Sequence, residues 1–139
     1  MILPGIITKE DGFWIAECAA LDAMTQGRTK KEALQMLLDW VQMALDDPSF
    51  SMDLREVSKG SLHLTFNDPR RIVGLIIERA RESAGMTYEE VAFKVGLKNR
   101  SGIKSMTLGK HDHQFSKLLS TLNAVGYDLK IEVVPRVGT

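Results

Sequence analysis

At 139 residues, 44% apolar and 26% charged, the chain is long enough for one folded core or two small ones, and too regularly patterned for intrinsic disorder. It has no run of about 18 apolar residues that would span a bilayer, and its opening MILPGIITKED turns acidic too soon for a signal peptide. One cysteine, Cys18, set among Ala16 and Ala19, has no internal disulfide partner and reads as a packing residue of a reducing compartment, so a cytoplasmic protein is expected.

The first half has the grammar of a sheet crossed by one helix. Ile2 to Thr8 is a short apolar run, Glu10-Asp11-Gly12 signals a turn, and Phe13 to Cys18 places Phe13 and Ile15 on one face and Trp14 and Ala16 on the other. A hairpin is therefore expected, with a third short strand at Met24 to Gln26. Thr29 followed by Glu32 has the spacing of a capping box and opens a long helix. Ala33, Leu34, Leu37, Leu38, Val41, Ala44 and Leu45 form its apolar stripe, and Pro48 is expected to end it. Met52, Leu54 and Val57 read as a further strand, and Leu62, Leu64 and Phe66 alternate with His63 and Thr65 in a last one. The order β-β-β-α-β, with a possible sixth element, implies an α+β unit: a small, mainly antiparallel sheet with one helix across a face.

At Asn67-Asp68-Pro69 the period changes from two to 3.6, so the chain divides into residues 1–69 and 70–139. The second unit is expected to be mainly α. Ile72, Val73, Ile76, Ile77, Ala80 and Ala84 form a helix closed by Gly85. Thr87 and Glu90 then cap a short helix with Val91, Ala92 and Val95 on its core side, which Gly96 stops. After a tight turn with Leu97 tucked beneath it, and Asn99 or Ser101 as cap, another short helix buries Ile103 and Met106. This is a helix-turn-helix pattern. A fourth helix carries Phe115, Leu118, Leu119 and Leu122 up to Gly126, and Tyr127, Leu129, Ile131 and Val133 then alternate with polar residues as a strand. A lone strand leaves its backbone unpaired, so these four residues are expected to pair with the same strand of a second copy and make a homodimer or larger homo-oligomer.

The neutral total conceals a split. Residues 1–69 hold 6 basic and 11 acidic side chains, net −5, and residues 70–139 hold 12 and 7, net +5. From Lys94 to Lys117 there are six basic residues and one acid, Asp112. A basic patch alone describes many solvated helices, but a basic patch on a helix-turn-helix is the footprint of phosphate contact. Lys98, Asn99, Arg100, Ser101, Lys104, Ser105 and Lys110 are the expected DNA-binding residues, small and cationic side chains able to reach phosphates and base edges.

The stretch DGFWIAECAALDAMTQGRTKKEALQMLLDWVQMAL, Asp11 to Leu45, resembles the core of the HicB antitoxin family: an aromatic strand, a short linker, a Gly before a capping Thr, then a Glu-Ala-Leu helix. Ile76 to Val134 resembles the Xre/Cro-type helix-turn-helix repressors. HicB-like antitoxins typically carry the two in this order. The resemblance implies a partial ribonuclease H-like first unit that masks a small HicA-like, mRNA-cleaving toxin, and a second unit that represses the operon by binding operator DNA.

An enzyme is the less expected reading. Two-metal phosphodiester cleavage requires converging carboxylates, and the strands here offer Glu17 with Asp22 nearby. His111-Asp112-His113 lacks the further ligands of a metal site and reads as a cap of the fourth helix or a phosphate contact. No nucleotide-binding loop or nucleophile arrangement is present, so no catalytic residue, metal or cofactor is expected. A stand-alone regulator, with an N-terminal unit that senses a ligand or only dimerises, is the alternative.

Overall fold

A computed structural model of the chain describes residues 1–136. β1 (Ile2–Glu10), β2 (Phe13–Cys18) and β3 (Ala23–Gly27) are followed by α1 (Lys30–Ala44), β4 (Asp53–Ser58) and β5 (Ser61–Thr65). Four helices complete it: α2 (Pro69–Ser83), α3 (Tyr88–Val95), α4 (Ser101–Thr107) and α5 (Phe115–Ala124). The sheet order is β3-β2-β1-β5-β4 with every neighbouring pair antiparallel. The β1–β2 hairpin turns through Asp11 (φ 51°) and Gly12 (φ 83°), the two positive φ angles that let a two-residue turn match the twist of its strands.

Alternation divides the sheet cleanly. Ile7, Ala16, Cys18, Ala23, Leu62 and Leu64 point to one face and are buried under α1, which contributes Ala33, Leu37 and Val41. The other side chains of the same strands lie on a face that no element among the described residues covers: Ile2, Ile6, Phe13, Met24 and Val57 are all exposed. β4 contributes to both, Leu54 inward and Val57 outward, its register shifting between Glu56 and Ser58.

α1 departs from expectation at both ends. Thr29 accepts the Glu32 N–H at 3.0 Å, but only this half of the box forms. The helix ends at Ala44, with Asp46 in the left-handed region (φ 51°), before Pro48 is reached.

The core of the sheet continues through Pro69. Ile72, Leu75, Ile76 and Ile77 of α2 join the cluster of sheet and α1 side chains, as do Met106 and Leu122. Two arginines fasten α2 to the first half. Arg71 reaches Asp47 at 2.6 Å and the Leu45 carbonyl at 3.1 Å. Arg79 donates to the Leu21 and Asp22 carbonyls and lies 5.1 Å from the Trp40 ring centre. Farther along α2, Ala80 joins Val91, Ala92, Ile103 and Val125 in a smaller cluster that binds the helices together.

The expected C-terminal strand is not formed within the chain. Residues 127–136 carry no regular secondary structure, and Tyr127, Leu129, Ile131 and Val133 are exposed, Val133 at 89%. A strand exists only through hydrogen bonds to a neighbour, and the pattern of a segment does not supply one.

Candidate nucleic-acid interface

α3, the following turn and α4 are each set by local chemistry. The capping box is complete: the Glu90 N–H donates to Thr87 Oγ1 at 3.1 Å, and the Thr87 N–H to Glu90 Oε1 at 3.2 Å. Gly96 (φ 83°) ends α3; its N–H donates to the Phe93 carbonyl, and the Leu97 N–H to the Ala92 carbonyl, the paired bonds that satisfy a helix C-terminus. The residue that caps α4 is Arg100, which makes no side-chain cap bond; Asn99, one residue earlier, accepts at Oδ1 from the Ser101 N–H at 3.0 Å and from the Ser101 hydroxyl. Leu97 passes close to Gly102, where an added Cβ would sit 3.2 Å from Leu97 Cδ1, so the small residue admits the turn.

Burying Ile103 and Met106 aims the opposite side of α4 outward. Lys98, Asn99, Arg100, Ser101 and Lys104 are exposed together along the turn and α4, and Lys110 is exposed beyond its C-terminus. Arg100 lies 3.5 Å from Glu89 of α3 in an exposed pair that solvent and salt weaken. Ser105 departs from the group: its hydroxyl is buried and has no hydrogen-bond partner among the described residues, so it faces the protein interior. The histidines do not cap α5, whose cap residue is Gln114 and makes no side-chain cap bond; His111 is exposed, and the buried His113 Nε2 is unpartnered among the described residues.

What holds α4 in position was not apparent from the pattern. A Cβ on Gly74 of α2 would meet the Met106 and Thr107 carbonyls at 2.6 Å, so α4 ends directly against the α2 backbone. A Cβ on Gly109 (φ 64°) would likewise meet the Arg71 backbone, at 2.9 Å. α3 is held by a polar group: the Tyr88 hydroxyl donates to Glu78 at 2.8 Å, Arg81 pairs with Glu78, and Arg81 also donates to the Met86 carbonyl at 2.7 Å. The guanidinium lies 4.1 Å from the Tyr88 ring centre. Burial works to raise the Glu78 carboxyl, but hydrogen bonds from Arg81 and Tyr88 outweigh it and leave the group below its ordinary range. Burial, then the Glu78 carboxylate, raises the Tyr88 phenol. The only available signal for these positions was residue type: a glycine within an apolar helix stripe, and a Glu and an Arg on the same stretch.

The acidic candidates do not converge. Glu17 stands on the uncovered face of β2, whereas Asp22 occupies a left-handed turn (φ 50°) and pairs with Arg79 at 3.4 Å. No protein-family model matches the chain, and no curated protein matches it in sequence.

Proposed function

We propose that this chain is an antitoxin that neutralises a HicA-like, mRNA-cleaving toxin and represses its own operon by binding DNA. The observation that carries the reading is the surface of α4 and the turn before it, where Lys98, Asn99, Arg100, Ser101 and Lys104 stand exposed on a short helix that ends directly against the α2 backbone. Cationic side chains in that position neutralise phosphates, and the polar ones reach base edges. One such unit contacts few base pairs. Specific binding therefore calls for two copies spaced about 34 Å apart, and exposed Tyr127, Leu129, Ile131 and Val133 are the residues proposed to join them. The acidic first half, net −5, is electrostatically suited to a basic RNA-binding toxin.

A stand-alone regulator is favoured by one feature, an open groove of about 430 Å³ between α1 and β4, lined by Leu34, Leu38, Met52 and Leu54 with Lys31 and Gln35 at its border. In that reading the groove takes a ligand and no toxin exists. Co-expression with the product of the adjacent gene separates the two: co-purification of a small basic protein supports the antitoxin, and repeated failure to retain one supports the regulator. For the DNA function, Lys104→Ala is expected to lower operator affinity and flatten the log–log salt slope by about one. An unchanged affinity and slope would remove α4 from the interface.

A further inference from the structure

Among the described residues no helix packs on the face of the sheet opposite α1, and its composition is unusual for a solvated surface. Ile2 and Ile6 of the central strand β1, Phe13 of β2, Met24 of β3 and Val57 of β4 are exposed on it, Ile6 at 47% and Met24 at 63%. Half-buried Ile15 fills the space between them, opposite Thr8. Phe13, Ile15, Ile6 and Met24 are neighbours across β3, β2 and β1, with Val57 set apart beyond the polar Ser61, His63 and Thr65 of β5, and such an apolar surface marks a place where something binds. The face also carries Glu10, Glu17 and Asp53. Among the described residues its one cation is Arg55, which lies 3.4 Å from Asp53, and neither Glu10 nor Glu17 has an ion-pair partner.

We infer that this open face is the docking surface for a small basic protein, an apolar ridge of the partner covering Ile6, Phe13 and Ile15 while its cations meet Glu10 and Glu17. The inference rests on the reading that the acidic half holds a basic partner, and it selects the site. A second copy of this chain fits less well, because it brings the same excess of carboxylates over cations to the interface. Nucleic acid and anionic lipid are repelled by the same carboxylates. The groove between α1 and β4 competes as a site, but its lining carries Lys31 and no carboxylate to meet a cation.

The test uses the full chain and, as probe, the small basic protein encoded by the adjacent gene. Ile6→Arg puts a cation at the centre of the face without touching the buried side, and is expected to weaken capture at least about 30-fold, as for a central anchor. Glu17→Lys is expected to weaken it less, chiefly through slower association at low salt. Leu38→Arg, in the competing groove, is expected to leave capture near wild type, and circular dichroism reports that all three variants remain folded. Capture that survives Ile6→Arg and is lost in Leu38→Arg overturns the assignment in favour of the groove. Sedimentation that shows Ile6→Arg turning an oligomer into a monomer overturns it in favour of a second copy. Wild-type protein that retains no basic neighbour removes the antitoxin reading itself, and the docking surface with it, an outcome distinct from a wild type that binds and an Ile6→Arg variant that binds equally well.

Discussion

The two halves of this molecule are built on different physical terms. In the sheet half, alternation does nearly everything: a slip of one residue would exchange Ile7, Ala16 and Leu64 for Ile6, Ile15 and His63, so burial on one face determines the register. In the helical half, α3 has 8 residues and α4 has 7, too short to persist alone. They are held by what they touch: Gly74 beneath the end of α4, and the Glu78–Arg81–Tyr88 group beneath α3. α2 belongs to both. The charge reverses sign near Pro69, yet the apolar core runs through that point, so charge and packing divide the chain in different places.

The largest expected effect breaks the comparison from its centre. Leu37→Ala in the sheet half and Ile77→Ala in α2 each remove a completely buried side chain from the shared core, and each should cost about 2–5 kcal/mol. Circular dichroism and tryptophan fluorescence should then follow one unfolding transition, because both variants weaken the same core. Two separated transitions, with the helices outlasting the sheet in Leu37→Ala, would show the halves to be energetically independent.

Gly74→Ala sharpens the helical side. Its new methyl group would meet two backbone carbonyls, which cannot swing aside as a flexible side chain does, so α4 must shift. About 1–3 kcal/mol of stability should be lost, and operator affinity should fall further than that of a core variant of matched stability, as measured by band shift. Equal losses for the two variants would mean that the seat of α4 does not matter to DNA binding.

Smaller in its effect on the monomer is Ile131→Lys. Ile131 is 63% exposed, so the variant should fold normally. If this segment joins two copies, sedimentation should show a weakened dimer and band shifts a weakened operator complex, with partner capture by the sheet half intact. A variant that stays dimeric moves self-association elsewhere on the molecule.

The smallest effect concerns the fastening of α2 to the loop after α1. Hydrogen bonds from Ser49, and then the Arg71 guanidinium, hold the Asp47 carboxyl down to about 2. A depressed carboxylate adds stability above its unfolded value near 4, and that stability is lost as the pH falls through about 2. Asp47→Asn should therefore lower stability slightly at pH 7, where that contribution is fully present, and flatten the acid side of the profile, so that variant and wild type converge toward pH 2. Urea midpoints measured from pH 6 down to pH 2 would reveal it, and parallel curves for variant and wild type would mean that the pairing contributes nothing.

Much of the fold was legible because its signals are local. The Asp11-Gly12 turn, the Thr87–Glu90 box and the Gly96 stop act within a few residues, and each forms where the residues imply. Most of the expected DNA-contacting set is exposed for a similar reason: burying Ile103 and Met106 leaves Lys104 and its neighbours outside. Ser105 was misplaced because a seven-residue helix wedged against α2 buries more than one stripe, and its hydroxyl falls within the extra width. The helical span of α1 ended early at a left-handed Asp46, a conformation that no residue type announces as a glycine would.

By itself the sequence determined the alternation of the strands, the stripe of α1, the capped α3 with its glycine stop and the reversal of charge between the halves. Those properties depend on the chemistry of neighbours along the chain. Only the tertiary structure decided that α2 joins both clusters, that Gly74 seats α4, that Arg71 and Arg79 clasp the first half, and that one face of the sheet stays open. Such facts depend on which surfaces meet across tens of residues, and a periodic pattern states which way a side chain points without stating what, if anything, lies opposite it. The segment 127–136 marks that boundary most sharply: its alternation is written in the chain, but a strand requires a second backbone to accept and donate its hydrogen bonds.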